Sequence, residues 1–121
     1  MANVIQGIPV NGSTATVASS SAGGLLKIAL SSGSTAAPTR WHLSEVAWSV
    51  NSPPVVDQVL TVYDGSTTAG VIFQLAVGSS GHDALAFPPL RGSAGNAMTV
   101  TLSTGGGSTP QYLNVFAYRS R

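Results

Sequence analysis

Between Val59 and Val77 the chain reads VLTVYDGSTTAGVIFQLAV, two apolar runs around a polar loop from Asp64 to Gly70. The first run sets Leu60 and Val62 against Thr61 and Tyr63, and the second, Val71-Ile72-Phe73-Gln74-Leu75, is richer in apolar residues. Period-two alternation of β-branched and aromatic residues suits a pleated surface buried on one side. Asp64-Gly65 opens the loop and Gly70 closes it, supplying backbone that accepts a positive φ. The stretch predicts a β-hairpin with Phe73 in the core. It commits the neighbouring chain to a sheet that the hairpin can join.

The remaining segments meet that demand. Thr14–Ser19, Leu25–Leu30, Trp41–Val50, Asp83–Phe87, Ala97–Ser103 and Gln111–Arg119 read as further strands, separated by glycine- or proline-rich turns. In Trp41–Val50 the simple alternation puts Val46, Trp48 and Val50 on one face and Leu43, Glu45, Ala47 and Ser49 on the other. Pro88-Pro89 is expected to end the strand that starts at Asp83, because proline cannot donate to a ladder. The last strand presents Tyr112, Asn114, Phe116 and Tyr118 on one face. About eight short strands at near-regular spacing, with no helical period, predict an all-β, single-domain antiparallel jelly roll or β-sandwich. An immunoglobulin-like strand order stays open as the alternative sandwich. Residues 14–121 form the predicted domain. Residues 1–13 form an arm without period whose Val4, Ile5 and Ile8 are expected to pack on a neighbouring subunit.

Charge sets the next constraint. Only 7% of the 121 residues are charged and 43% are hydrophobic, whereas a small domain that stays soluble alone carries roughly 25–35% charge on its surface. The simplest account is a surface partly covered by other subunits. A net charge of +1 offers no electrostatic footprint for nucleic acid or an anionic membrane. No apolar run is long enough for a membrane helix, and residues 1–13 lack the charged start and apolar block of a secretion signal. There is no cysteine, which excludes disulfides and thiolate metal sites and fits synthesis in a cytoplasm.

The residue types that carry chemistry are sparse. His82-Asp83 is the only adjacent His–Asp pair, and neighbours in one extended segment point apart, so a triad is not predicted there. His42 reads as a surface or interface histidine. The carboxylates Glu45, Asp57, Asp64 and Asp83 are scattered without ligand spacing, and Asp64 reads as a turn residue. Gly105-Gly106-Gly107-Ser108-Thr109 lacks the lysine of a phosphate loop. No cofactor, metal or catalytic activity is expected. Trp41 and Tyr112 are amphipathic rings of the kind found at interfaces and sugar sites. Together with Val4, Ile5 and Ile8 they are the interaction candidates.

From residue 41 onward the chain resembles small β-rich virion proteins of tailed bacteriophages. The resemblance lies in FPPLRGSAGNAMTVTL from Phe87 to Leu102 and LNVFAY from Leu113 to Tyr118, with similar features at Trp41–Leu43 and Val62–Gly65. It spans roughly residues 41 to 119, and Ala117 stands where a glycine is often found. It implies a jelly-roll or sandwich module of the capsid decoration (cement) type, with no catalytic residues. Such a protein is expected on the capsid exterior, made in the host cytoplasm, with the major capsid protein and its own copies as partners, a homotrimer favoured. The alternative is a tail, baseplate or fibre-associated module, or a lectin-like domain that binds glycan.

Overall fold

The computed structural model describes residues 13–20, 24–31, 39–50, 56–65, 70–78, 82–105 and 110–120. They form eight strands: β1 (Ser13–Ser20), β2 (Leu26–Leu30), β3 (Arg40–Val50), β4 (Gln58–Asp64), β5 (Val71–Gly78), β6 (His82–Arg91), β7 (Met98–Leu102) and β8 (Gln111–Ser120). One sheet has the order β1-β8-β3-β6 and the other β2-β7-β4-β5, and the strand pairs are antiparallel. Each β1–β4 strand thus sits beside a strand from β5–β8, which is the double Greek key of a jelly roll. That order excludes the immunoglobulin-like alternative.

The hairpin forms where its sequence places it. Leu60 pairs with Leu75 and Val62 with Phe73. The Asp64 amide donates to the Gly70 carbonyl at 2.9 Å. Gly70 has φ +76°, and a Cβ there would approach the Asp64 carbonyl oxygen at 3.1 Å, so a side chain would meet both strain and crowding.

Between the sheets lies one core. It takes Leu26, Ile28 and Leu30 from β2, Leu60 and Val62 from β4, and Met98, Val100 and Leu102 from β7. From the facing sheet come Trp41, Leu43, Val46 and Trp48 of β3 and Leu113, Val115 and Ala117 of β8. Each fully buried aliphatic side chain contributes about 1.5–3 kcal/mol relative to exposure. Phe73, Val77 and Leu90 are only partly buried against this cluster. Phe73 is therefore at the margin of the core and not inside it, because β5 is the last strand of its sheet among the described residues.

Two expectations about strands are corrected. Simple alternation puts Leu43 opposite Val46, yet both are fully buried. The ladder shifts between Leu43 and Glu45: Leu43 faces Ala117 and Glu45 faces Phe116, so Ser44 is an extra residue. This β-bulge restores Leu43 to the core face, and the Ser44 hydroxyl donates to the Phe116 carbonyl at 2.9 Å.

The second correction concerns β6, which does not stop at Pro88-Pro89 but runs on to Arg91. Its register against β3 jumps from Ala86 opposite Glu45 to Leu90 opposite Leu43. Both prolines fall inside that jump, on the last strand of the sheet, where a missing N–H disrupts no regular ladder.

Leu60→Ala is expected to cost about 2–5 kcal/mol in urea melts, since its site is fully enclosed. Phe73→Ala should lose less than the about 3–5 kcal/mol of a fully buried phenylalanine. Deleting Ser44 should leave a cooperative fold, because Leu43 followed directly by Glu45 keeps Trp41, Leu43, Val46 and Trp48 on one face of an unbroken ladder; loss of the cooperative melt would refute this account of the bulge.

Candidate interaction surface

The pleat that fills the core also fixes what faces outward. On β8 the outward residues are Tyr112, Asn114, Phe116 and Tyr118, the face expected from the sequence. Across the ladder on β3 they meet Ser49, Ala47, Glu45 and His42 in turn. Tyr112 is 37% and Phe116 40% exposed. Glu45 is half-buried beside Phe116.

His42 is not the surface residue that its sequence context suggests. It is buried, stacked on Tyr118 with ring centroids 4.8 Å apart and planes 6° from parallel. Its Nε2 lies 2.6 Å from the Ser120 hydroxyl. Burial lowers its pKa below the usual histidine value, and the nearby charges of Arg91 and Arg40 lower it further. The fold thus favours the neutral ring.

Of the other interaction candidates, Trp41 is only 7% exposed. Its indole N–H donates to the Ser31 carbonyl at 2.7 Å. The Arg119 guanidinium lies 5.6 Å over its ring, and Arg119 Nε donates to the Thr39 hydroxyl at 2.9 Å. Trp41 therefore anchors the entry to β3 and has little surface to offer a partner. Val4, Ile5 and Ile8 lie outside the described residues. Phe116 and Glu45 were not singled out by sequence reasoning; the signal was their shared position across the β3–β8 ladder, which needs the bulge to be known.

The other sheet presents a different outer surface. Thr61, Thr99 and Thr101 point away from the core yet are buried. The Thr99 hydroxyl donates to the Gly65 carbonyl at 2.8 Å, and the Gln74 amide donates to the Thr61 hydroxyl at 3.1 Å. Lys27 is exposed on this side, between buried Leu26 and Ile28.

Asp64 is the turn residue that its sequence predicted, and it clamps a second turn as well. Its carboxylate accepts from the Ser93 amide at 3.0 Å, the Ser93 hydroxyl at 2.5 Å and the Asn96 side-chain amide at 3.3 Å. Partial burial pushes this carboxyl's pKa up, but the bonds from Ser93 and Asn96 and the charge of Arg40 outweigh it, leaving it below the ordinary carboxylate value. Gly92 makes room for the clamp: a Cβ there would come within 3.1 Å of Asp64 Oδ1 and 3.3 Å of Met98 Cε.

At the opposite end Gln58 and Gln111 are both 1% exposed. Gln58 Nε2 donates to the Ser103 carbonyl at 2.8 Å and to Gln111 Oε1 at 2.9 Å. Gln111 Nε2 donates to the Gly24 carbonyl. The pair joins the start of β4 to the start of β8 across the two sheets.

His82 and Asp83 occupy successive positions in β6, opposite Ser49 and Trp48 in the ladder. Among the described residues no three His, Asp or Glu side chains stand close enough together to hold a metal ion.

No protein family and no curated protein matches the chain. A solved structure similar to it is the cryo-EM structure of the giant freshwater prawn Macrobrachium rosenbergii extra small virus (XSV) VLP. That likeness has 14% identity over 99% of this chain and 87% of the other, with a TM-score of 0.34. The jelly-roll assignment stands on strand order alone.

The histidine gives a pH prediction. With its folded pKa below the unfolded value of about 6.5, the unfolded chain binds the proton more readily. The stability of the neutral ring is fully present above about pH 6.5 and is lost as pH falls from there to the folded pKa. Urea midpoints measured from pH 7.5 to 5 should fall in the wild type. His42→Gln should remove that part of the slope; an unchanged slope in the variant would place the titration elsewhere.

Proposed function

We propose that this protein is a structural component of a tailed-bacteriophage virion, a capsid decoration protein that binds the outside of the major capsid shell and stabilises it without chemistry. The observation that carries the reading is where the resemblance falls. Residues 87–102 and 113–118, which resemble phage virion proteins, occupy β6, β7 and β8 and the Asp64-clamped turn, on a jelly-roll strand order.

The remaining features support it. The 7% charge content leaves a surface with few charges to keep it apart from neighbours. Its shape is held by a buried amide pair at one end and a carboxylate clamp between turns at the other. In this reading the protein assembles as a homotrimer through heterologous contacts around a threefold position, with an interface of at least about 1,000 Å². Residues 1–12 contribute Val4, Ile5 and Ile8 to those contacts.

Exposed Tyr112 and Phe116 favour the second reading, a tail- or fibre-associated module that stacks sugar rings on aromatic side chains. One set of measurements separates the two. Co-sedimentation with expanded, empty phage capsids should deplete the protein from solution at a fixed ratio to shell subunits, and sedimentation equilibrium should give a trimer that persists on dilution. Failure to bind capsids together with a positive glycan screen would replace decoration with the second reading. Deleting residues 1–12 should convert the trimer to monomer; a trimer that survives the deletion would remove the arm from the interface.

A further inference from the structure

We propose that the outer face of the β1-β8-β3-β6 sheet is the docking face, and that the shell places an arginine or lysine against Glu45 within an apolar contact. This rests on the capsid reading and names the surface and the partner's chemistry.

The two outer faces are unlike. On the β2-β7-β4-β5 side the exposed large apolar residues, Val71 and Ile72, sit at the start of the strand that ends the sheet order, and the central threonines are already buried, with Thr61 and Thr99 hydrogen-bonded within the fold. On the other side Tyr112 and Phe116 remain well exposed. They lie four residues apart on one strand, hence about 13 Å apart along it, with Asn114 between them. Ala47 lies across the ladder from Asn114, between the two rings.

Glu45 sits in this apolar field, directly across the ladder from Phe116 on one side and from Ala86 on the other. It is half-buried, and among the described residues it has no hydrogen-bond or ion-pair partner. A carboxylate set among apolar groups is unfavourable once water is driven off, unless a cation meets it. The charge therefore selects an occupant. A second copy packed here about a twofold axis through Glu45 would set two carboxylates together, which like-charge repulsion opposes. A cationic side chain on a different, mostly apolar surface resolves the charge and fixes the register.

The size of the face clears the minimum for a specific interface, about 500 Å² from each partner. Ten residues of β8 extend about 34 Å and four strands span roughly 19 Å, so the face covers roughly 600 Å² before side-chain relief is counted. A standard interface takes about 800 Å² from each partner.

Capsid co-sedimentation of wild type, Phe116→Ala, Glu45→Gln and Glu45→Lys tests the inference, with Lys27→Glu on the opposite outer face as control. Phe116→Ala and Glu45→Lys should each weaken binding about tenfold or more. Glu45→Gln should weaken it less and reduce its dependence on salt. Lys27→Glu should bind as wild type does. Because Glu45 bonds to nothing among the described residues, its glutamine variant should melt with the wild type, separating docking from folding.

Wild-type binding by both Phe116→Ala and Glu45→Lys would overturn the docking face and leave the capsid reading standing. So would loss of binding in Lys27→Glu alone, or a Phe116→Ala protein that loses its own oligomer in sedimentation equilibrium. A wild type that ignores capsids would remove the capsid reading, and this inference with it.

Discussion

The structure depends on a bulge that sets one extra residue, Ser44, outside the ladder. β3 supplies four of the large side chains in the core, Trp41, Leu43, Val46 and Trp48, and no straight strand can hold all four on one face. Ser44 absorbs the mismatch, because a one-residue shift exchanges the two faces of a strand. The same shift sets the outer surface: His42 lands on Tyr118 and Glu45 on Phe116. The serine hydroxyl closes the irregularity by bonding the Phe116 carbonyl. Core and surface are thus two consequences of one local defect.

Polar ties hold the ends of the sandwich, where hydrophobic packing runs out. The Asp64 carboxylate joins the β4–β5 hairpin to the turn after β6. The Gln58–Gln111 pair spans the two sheets at the other end. Buried amides contribute modestly to net stability when satisfied but cost about 1–3 kcal/mol when stranded. Their main effect is to reject slid packings of one sheet over the other, which a uniformly apolar core would tolerate.

Much of this was legible in the sequence, and what was not shares a cause. The hairpin, the strand positions and the outward face of β8 follow from short-range alternation and from glycine and proline punctuation, so local reading recovered them. Asp64 was readable as a turn residue, but its bonds to Ser93 and Asn96, near thirty positions away, were not. The face of Leu43, the extension of β6 past its prolines, and the burial of His42 each depend on which strand lies alongside. The interaction candidates divided in the same way. Tyr112 is exposed on a strand whose period is plain, while Trp41 is drawn into the core by the bulge and by Arg119 above it.

Consecutive prolines in a border strand also bear on how copies of this chain can meet. Pro88 and Pro89 remove two adjacent amide donors from β6, and because successive amides of a strand point to opposite sides, a foreign strand laid along its outer edge would find one carbonyl unanswered there. Among the described residues that border is the edge of its sheet, and the gap in its donors disfavours edge-to-edge extension, the route to fibres. In the proposed virion role, a border that disfavours templating would help a β-rich chain stop at a defined number of neighbours.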